Sequence, residues 1–310
     1  MATTPIHIAV AKLKTTVLRR SKGIEISKGD NLLVWYEGTL VDSGERFDAN
    51  YDFTTFAVPT GTPSYAQLDG SFVLQATPSS PFEFVVGSGT VIPGWEQTFE
   101  KGRRLGEVIE VTIPADLAYG EAGSNNVPPN SDLNFKIEII GVLQEGAEVP
   151  NFPQLKDLGI NAKKLGLKSE ALNNLNSTKI GLDGDDRLIG DNTKDLLIGL
   201  GGSDRLFGAG GADVLIGGKG SRYVYTDLSD SPSTRGERDT IYGFTKKDKI
   251  NLRALVEEAR FIGSDKFSGT AGDVRFKNET LELDQDGDGS ADFAIAMPGT
   301  KALKGSNLML

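Results

Sequence analysis

The sequence predicts an α+β front domain, then a linker, a stack of short β-repeats and a β-rich C-terminal segment. Three observations support this: segments rich in β-branched and aromatic residues, one short helical segment among them, and a glycine-led repeat of nine residues. A length of 310 residues allows two or more domains with separate cores. The predicted boundaries are 1–145 for the front domain, 146–178 for the linker, 179–225 for the repeats and 226–310 for the last segment.

The front domain is predicted to consist of strands around one helix. The strand candidates are Asn31–Gly38, Glu107–Ile113 and Leu133–Leu143, and the last two alternate apolar with polar residues as half-buried strands do. A short helix is predicted in WEQTFEKG, because Pro93 favours its first turn and Gly102 its end. A curled antiparallel sheet that holds this helix is the expected packing.

The repeat runs from Gly181 to Tyr225 in five copies, which read GLDGDDRLI, GDNTKDLLI, GLGGSDRLF, GAGGADVLI and GGKGSRYVY. Position one is always glycine and position eight is always apolar, so each copy buries one side chain against its neighbours. Position six is aspartate in four copies and Arg222 in the fifth, which we interpret as a capping end. Glycine turns bring backbone carbonyls together, and a carboxylate beside them makes an oxygen cage suited to Ca²⁺. The predicted metal-site residues are Asp186, Asp195, Asp204 and Asp213 with Gly184, Gly202 and Gly211.

Two features limit this calcium prediction. Thr193 replaces the fourth-position glycine of the second copy, so few ions are expected. The alternative interpretation is a glycine-rich loop that binds nothing.

The composition excludes several classes of function. The chain has 33 Lys and Arg against 43 Asp and Glu, a net charge of −10 that argues against a nucleic-acid partner. Without cysteine and with His7 as the single histidine, disulfides and thiol catalysis are excluded, and zinc or Ser–His sites lack residues. No apolar run approaches the roughly 18 residues of a membrane helix. The N-terminus also lacks an ordinary signal peptide, so export would need another route.

The front domain contains the blocks GERFDAN, PFEFVVGSGTVIPGWEQTFEKGRRLGE, IPADLAYGEAG and VPPNSDLNFKIEIIGV. In residue type, order and spacing these blocks resemble the FKBP-type peptidyl-prolyl isomerases over Lys28–Leu143. The resemblance implies a bent antiparallel sheet wrapped on a short helix, an apolar pocket between them, and catalysis without a cofactor. It implies that Trp95 floors the pocket beneath a proline ring, while the Ile92 N–H and the Tyr119 hydroxyl bind substrate carbonyls. The implied site residues are Tyr36, Phe47, Asp48, Phe82, Val91, Ile92, Trp95, Tyr119 and Phe135.

The chain departs from this family at three places. The connection after Phe47 and Asp48 is lengthened to residues 49–81. We interpret it as a loop with an extra hairpin that either lies on the surface or lines the substrate groove. The loop after Tyr119 is polar at Asn125 and Asn126, and Leu117 stands where an aromatic residue is common. Structural alternatives remain: the aromatic cluster as plain core, Asp48 as the end of a turn, and Tyr119 as a buried tyrosine with a satisfied hydroxyl.

The nine-residue copies resemble the RTX repeats of proteins exported by type I secretion. That resemblance implies a parallel β-roll, with calcium between copies two apart and folding that depends on calcium. The segments ERDTIYGFTKKDKINLRAL and LDQDGDGSADFAIAM resemble the region after RTX repeats in serralysin-type secreted proteases, although no H-E-x-x-H occurs. Asp284, Asp286 and Asp288 mimic the start of an EF-hand, but Ile295 occupies the position of its last ligand, so a solvated hairpin turn is favoured. The C-terminal SNLML resembles an uncleaved secretion signal.

These features together predict a secreted peptidyl-prolyl cis-trans isomerase that acts on Xaa-Pro bonds of extracellular polypeptides. Its β-roll would bind calcium for type I export and for folding outside the cell. The expected partners are proline-containing polypeptides, calcium ions and the type I secretion machinery, with no nucleic acid and no membrane span. Two alternatives are a non-catalytic chaperone for proline peptides and a calcium-dependent surface or matrix anchor.

Overall fold

A computed structural model describes residues 12–54, 81–100 and 102–310, together with the backbone of 64–68 and 71–75. His7 and the parts 55–63, 69–70 and 76–80 of the insertion at 49–81 lie outside the described residues. Backbone contacts divide the chain into two units. The first comprises Met1–Gly61 with Ala76–Ile160, and the second comprises Thr62–Gln75 with Asn161–Leu310.

The first unit is built on a six-stranded antiparallel sheet and one α-helix. Its elements are β1 (Lys14–Arg19), β2 (Asn31–Leu40), β3 (Arg46–Ala49), β6 (Phe82–Val85), α1 (Pro93–Phe99), β7 (Val108–Ile113) and β8 (Leu133–Leu143). The strand order is β1-β7-β8-β2-β3, and β6 pairs with the first half of β2 while β3 pairs with the second. The predicted antiparallel sheet with one helix is therefore confirmed.

Helix α1 packs closely on the sheet because of a glycine. Gly94 is buried, and a Cβ atom there would lie 2.4 Å from Cγ2 of Ile113 on β7. Trp95 and Phe99, on the same buried side of the helix, are 3% and 0% exposed. The helix thus fixes the indole of Trp95 against the sheet.

The predicted extra hairpin is present within the insertion. Its strands are β4 (Ser64–Leu68) and β5 (Ser71–Gln75), which pair antiparallel with Ser64 opposite Gln75.

The predicted linker 146–178 is largely structured. Asn151 forms a β-bridge with Val142, and Leu155 and Leu158 are buried, so the chain up to Ile160 belongs to the first unit. Beyond it, α2 (Ala162–Leu165) and a 3₁₀ turn (Ser169–Leu172) precede the repeats. Apolar residues spaced through a polar segment explain the difference, because each one finds a core to cover it.

The second unit is β-rich and mostly parallel. Its strands are β9 (Ser177–Ile180), β10 (Arg187–Ile189), β11 (Asp195–Ile198), β12 (Arg205–Phe207), β13 (Val214–Ile216), β14 (Arg222–Val224), β15 (Thr240–Tyr242), β16 (Lys249–Asn251), β17 (Arg260–Phe261), β18 (Asp273–Lys277), β19 (Thr280–Asp284), β20 (Phe293–Ala296) and β21 (Leu308–Met309). One sheet is five-stranded, with the order β10-β12-β14-β16-β21, and every pair in it is parallel. The other has the order β17-β18-β19-β20-β15-β13-β11-β9, parallel from β20 to β9.

Successive copies of the repeat contribute their strands to different sheets. Copies one, three and five form β10, β12 and β14, whereas copies two and four form β11 and β13. Copies two apart therefore pair side by side, and their equivalent residues lie in register. This arrangement turns a sequence period of nine into columns of identical positions on each sheet.

The interpretation of the fifth copy as a capping end is wrong. Arg222 pairs with Arg205, so Ser221 and not Arg222 lies opposite Asp204. The offset is 17 residues here instead of 18, because the fifth copy has one residue fewer before its strand. Strand β14 then pairs onward with β16, so the parallel stack continues beyond the repeats.

Two C-terminal features complete the second unit. Residues 285–292 form the turn of the β19–β20 hairpin, in agreement with the hairpin turn favoured there. The C-terminal strand β21 pairs in parallel with β16 and forms one edge of the five-stranded sheet. None of the helices in the described part of the chain has the length and apolar character that a bilayer span requires.

Candidate active site and carboxylate columns

A cavity of about 280 Å³ opens on the first unit between the sheet and the start of α1. All nine residues that the sequence suggested for the site line it, and Thr90 is a further lining residue. Trp95 and Phe135 are buried, whereas Phe82 and Tyr119 are 37% and 38% exposed at the rim. The cavity is thus apolar at its base and open to solvent at its edge.

Trp95 is the centre of an aromatic cluster. Its ring centroid lies 5.3 Å from that of Phe135, 5.5 Å from Tyr36 and 5.7 Å from Phe82, all at angles near perpendicular. Edge-to-face contacts of this kind each contribute about 0.5–1.5 kcal/mol beyond the area they bury. Phe47 packs edge-on against Phe135 with centroids 5.5 Å apart. The walls and base of the cavity are therefore held by mutual contact.

Polar groups are few and lie at the rim. The Tyr36 hydroxyl donates to Asp48 Oδ2 at 2.7 Å, and burial together with this acceptor raises the pKa of Tyr36. Burial, and then the charge of Asp48, raise the pKa of Tyr119, so its hydroxyl stays protonated at neutral pH. Among the described residues no acceptor lies within hydrogen-bond distance of the Ile92 N–H. The cavity rim therefore offers two donors, the Tyr119 hydroxyl and the Ile92 amide, beside one fixed carboxylate, and the Trp95 indole N–H is a buried donor without a partner among the described residues.

Besides Thr90, three residues that sequence reasoning missed shape this cavity. The Glu96 carboxylate accepts hydrogen bonds from the Gly87 and Gly89 amides at 2.7 and 2.6 Å, which ties α1 to the turn after β6. A Cβ at Gly38 would lie 2.7 Å from both the Phe47 and Phe135 rings, so glycine is needed for those walls to meet. Asn50 accepts from the Tyr36 amide at 2.6 Å and donates to a carbonyl of β2. Glycine within a strand pattern was the one available sequence signal.

The polar loop after Tyr119 lies beside the cavity. Asn126 Nδ2 donates to the Phe47 carbonyl at 3.4 Å, which links this loop to β3. Asn125, Asn126 and Phe47 also line a neighbouring cavity of about 520 Å³. Phe47 thus separates an apolar cavity from a polar one.

Comparison with known proteins identifies the first unit. Residues 64–140 match the family model described as FKBP-type peptidyl-prolyl cis-trans isomerase. FK506-binding protein 2 of Dictyostelium discoideum is 33% identical over 120 residues, which cover 38% of this chain and 70% of the relative. The chain belongs to the FKBP family. Peptidyl-prolyl cis-trans isomerase FPR2 of Saccharomyces cerevisiae is 34% identical over 120 residues, with 38% and 70% covered.

Two further comparisons show how much of its relatives the chain covers and which family model its second half matches. FK506-binding protein 5 of Dictyostelium discoideum is 28% identical over 180 residues, which cover 54% of this chain but 10% of the relative. The chain therefore spans between a tenth and seven tenths of the length of these relatives. Residues 178–309 match the family model described as Peptidase M10 serralysin C terminal. Both resemblances, to FKBP isomerases and to the serralysin C-terminal region, are thus confirmed.

In the second unit, the predicted metal-site aspartates form two columns. Asp186 and Asp204 lie in register on the five-stranded sheet, and Asp195 and Asp213 on the other sheet. Within each column the carboxylate accepts from the amide of the equivalent residue before it, as in Asp195 N–H to Asp213 Oδ1 at 2.8 Å. Asp195, Asp204 and Asp213 are almost fully buried.

The glycines explain how these carboxylates fit. A Cβ at Gly199 or Gly208, the first position of a copy, would lie 2.1 Å from the carboxylate of the same copy. Among the predicted metal-site glycines, Gly202 and Gly211 have positive φ and lie against the backbone of the turn two copies earlier. Gly184, by contrast, has open space around it. The turns are therefore stacked closely enough to bring backbone oxygens beside the aspartates.

Sequence reasoning missed one further member of each column. Asp239 continues the column of Asp213, since Thr240 pairs with Val214, and Asp248 continues the other. The Asp213 amide donates to Asp239 Oδ1 at 2.9 Å. A sequence signal was present in the segments DTI, from Asp239, and DKI, from Asp248. In both, an aspartate stands two residues before an apolar residue, as positions six and eight of the repeat do, but the segments are out of phase with the five copies.

Asp213 and Asp239 form a buried acidic pair. Both are 0% exposed, and the Oδ2 atom of each lacks a hydrogen bond of ordinary geometry among the described residues, although the buried Tyr225 hydroxyl lies beside Asp239. Burial, and then the charge of Asp239, raise the pKa of Asp213 to about 10. Two adjacent carboxylates in such a place need either a shared proton or a cation. Oxygen-only donors of this kind fit a hard cation such as calcium.

The EF-hand-like segment is arranged differently from its sequence pattern. Carboxylate oxygens of Asp284, Asp286 and Asp292 lie within 4.8 Å of one another, whereas Asp288 accepts from the Ser290 amide within the turn. Asp284 accepts from two turn glycines at 2.7 and 3.0 Å. These carboxylates serve to hold the hairpin turn.

Proposed function

We propose that the first unit catalyses cis–trans isomerisation of Xaa-Pro bonds and that its catalytic residues are the nine predicted residues that line the cavity. The observation that supports this most is their convergence around one apolar hollow, since their positions range from Tyr36 to Phe135 in the sequence. The proline ring would lie on the Trp95 indole, between the rings of Tyr36, Phe82 and Phe135.

The chemistry of isomerisation suits such a cavity. A prolyl bond rotates slowly because amide resonance must be lost, at a barrier of about 18–20 kcal/mol. The planar amide is strongly dipolar and is well solvated by water, whereas the twisted transition state is less so. An apolar cavity that excludes water therefore disfavours the planar form relative to the twisted one.

The rim donors would direct the rotating group. The Ile92 amide and the Tyr119 hydroxyl are placed to hold substrate carbonyls, and Asp48 is oriented by its bond from Tyr36. An acceleration of about 10⁵ requires roughly 7 kcal/mol of transition-state stabilisation. Desolvation, orientation and two or three hydrogen bonds together suffice for this amount. The cavity residues supply all three without a nucleophile.

The test is the isomerisation rate of a short Xaa-Pro peptide with the full chain, its Trp95→Leu variant and its Tyr119→Phe variant. We expect Trp95→Leu to lose about tenfold or more of the catalysed rate, and Tyr119→Phe less. Trp35→Leu is the matched control, because Trp35 is 1% exposed and stacks on Tyr51 away from the cavity. Equal loss in Trp35→Leu and Trp95→Leu would assign the effect to folding instead of the cavity.

We further propose that the repeats form a calcium-bound parallel β-roll. The supporting observation is the pair Asp213 and Asp239, whose unpartnered buried oxygens fit a cation. Asp186, Asp195 and Asp204 would hold further ions with carbonyls of the glycine turns. Calcium would there neutralise the stacked carboxylates and complete the core of the second unit.

The match to the serralysin C-terminal model also supports export. We propose that residues 226–310 direct type I secretion and that the protein folds and acts outside the cell, where calcium is abundant. Expression beside a type I secretion system should place the full chain in the medium. A chain lacking 226–310 should stay inside, and secretion of that truncated chain would contradict the proposal.

A further inference from the structure

The outer side of the five-stranded sheet bears a row of cations. Arg187 pairs with Arg205, Arg205 with Arg222, and Arg222 with Lys249, each directly opposite the next. The three arginines are exposed and Lys249 is half-buried. Because neighbouring strands lie about 4.8 Å apart, these four residues form one straight row across the sheet, here called the cationic ladder.

The alternation of side chains places the ladder on the outer side. The residues that follow the ladder positions are Leu188, Leu206, Tyr223 and Ile250, and all four are 0% exposed. Successive side chains of a strand point to opposite sides, so the ladder residues face solvent.

The ladder is not neutralised by acidic neighbours. In the described part of the second unit, the ion pairs are Arg260–Asp273, Arg275–Glu282 and Lys301–Glu279, and none includes a ladder residue. Asp185, two residues before Arg187, uses its Oδ1 to accept from the Ser203 amide at 2.7 Å. Like charges directly opposite one another destabilise a sheet. The ladder is therefore a cost to the fold and not a support for it.

The second sheet shows that the repeat does not require these cations. At the equivalent position it has Leu196, Val214 and Thr240 in register. Leu196 and Val214 are buried, at 0% and 2% exposure. Cations thus recur only on one side of the stack, in a chain whose net charge is −10.

We propose that the cationic ladder binds a linear acidic polysaccharide, a chain that presents carboxylate or sulfate groups at regular intervals. Arginine forks suit both groups, and a straight row of evenly spaced cations suits an extended chain. The exposed large apolar residues of the described chain all lie between Val41 and Val149, outside this sheet. On the ladder's side of the sheet, Ile189 and Phe207 are half-buried and Val224 is buried, so no fully exposed aromatic or apolar residue is available there to stack on bases or to enter a bilayer.

The experiment measures binding of fluorescent oligogalacturonate and of a heparin oligosaccharide to the full chain, in calcium-containing buffer at several salt concentrations. The two probes distinguish carboxylate from sulfate sources. We expect the variant Arg187→Gln/Arg205→Gln/Arg222→Gln to bind about tenfold or more weakly, with a shallower salt dependence. Its melting temperature should be equal or higher, because like-charge repulsion is removed. A purely structural role for these arginines predicts a lower melting temperature instead.

The control variant Lys266→Gln/Lys277→Gln/Lys301→Gln removes the same charge from exposed positions of the same unit. Equal weakening in both variants would mean unspecific attraction and would overturn the proposal. Binding of neither oligosaccharide, or tighter binding of single-stranded DNA or of anionic phosphatidylglycerol vesicles, would overturn it as well. Circular dichroism of each sample establishes that the second unit is folded. A failure to bind the oligosaccharide is then distinguishable from unfolding of the second unit for lack of bound calcium.

Discussion

The two units differ in what their functional sites leave without a partner among the described residues: a neutral indole N–H, that of Trp95, in the first unit and buried carboxylate oxygens in the second. The cavity of the first unit is closed by rings that contact one another, and its carboxylate at Asp48 has a protein donor. The second unit buries Asp213 and Asp239 side by side with oxygens that no described residue satisfies. A site built from apolar contacts thus forms when the chain folds, without a bound ion. A site built from stacked carboxylates depends on what binds there.

The largest effect expected from this contrast is that of calcium removal. Chelation should remove part of the β-structure of the second unit and lower its melting temperature, because no ion then balances the buried carboxylates. The first unit should stay folded. The only two tryptophans, Trp35 and Trp95, lie in the first unit, so their fluorescence reports on it alone. We expect the far-UV circular dichroism to change while the tryptophan emission does not. A change in both signals would contradict the claim that only the second unit depends on calcium.

The substitution Asp239→Asn sharpens the comparison at one residue. An amide removes the like charge and can donate to Asp213, so the calcium-free second unit should melt at a higher temperature. The same change should weaken calcium binding about tenfold or more, because a carboxylate ligand is lost. Calorimetry with and without calcium measures both effects. Asp265→Asn, at an exposed position, is the control and should change neither.

A pH dependence follows from the same pair. Burial raises the pKa of Asp213 to about 10, above its unfolded value of about 3.9. Between these values the folded state holds a proton that the unfolded state has lost, so stability falls as pH rises. Without calcium, the melting temperature of the second unit should rise on acidification from about pH 8 to about pH 6. With saturating calcium the trend should reverse, since protons then compete with the ion.

The smallest effect concerns the walls of the cavity. Gly38→Ala places a methyl group within 2.7 Å of the Phe47 and Phe135 rings, which must separate. We expect catalysis to fall about threefold to tenfold, because the proline ring is then held less accurately. Gly141→Ala crowds Leu33 at 2.8 Å on the same sheet without touching a cavity residue. It should leave the catalysed rate unchanged, and an equal fall in both variants would point to general loosening of the sheet.

The sequence predicted the two kinds of site unequally well. The antiparallel sheet and its helix could be named, and so could nine of the ten residues that line the cavity, because family blocks fix them by type and spacing. Asp239 could not, because a segment of irregular length separates it from the period of nine, and only backbone pairing returns it to the column. Arg222 was misassigned for the same reason, since one missing residue shifts the register. The nine-residue period of the sequence predicts that the copies stack, but it does not predict where the stack ends.

The residues that support the cavity walls could not be predicted from the sequence pattern either. Glu96 and Gly38 act through contacts with distant segments, and apart from the glycine in a strand pattern at Gly38 no neighbouring residue in the chain indicates those contacts. Leu155 and Leu158, within the predicted linker, find a core to cover them only in the folded unit.

The most direct test of the central claim is the isomerisation rate of an Xaa-Pro peptide with the full chain, before and after calcium chelation. We predict clear acceleration over the spontaneous rate, equal in both conditions and lost in Trp95→Leu. This result would place catalysis in the aromatic cavity and show that it is independent of the carboxylate columns. No acceleration from a chain whose tryptophan emission shows a folded first unit would contradict the account and favour a proline-peptide chaperone without catalysis.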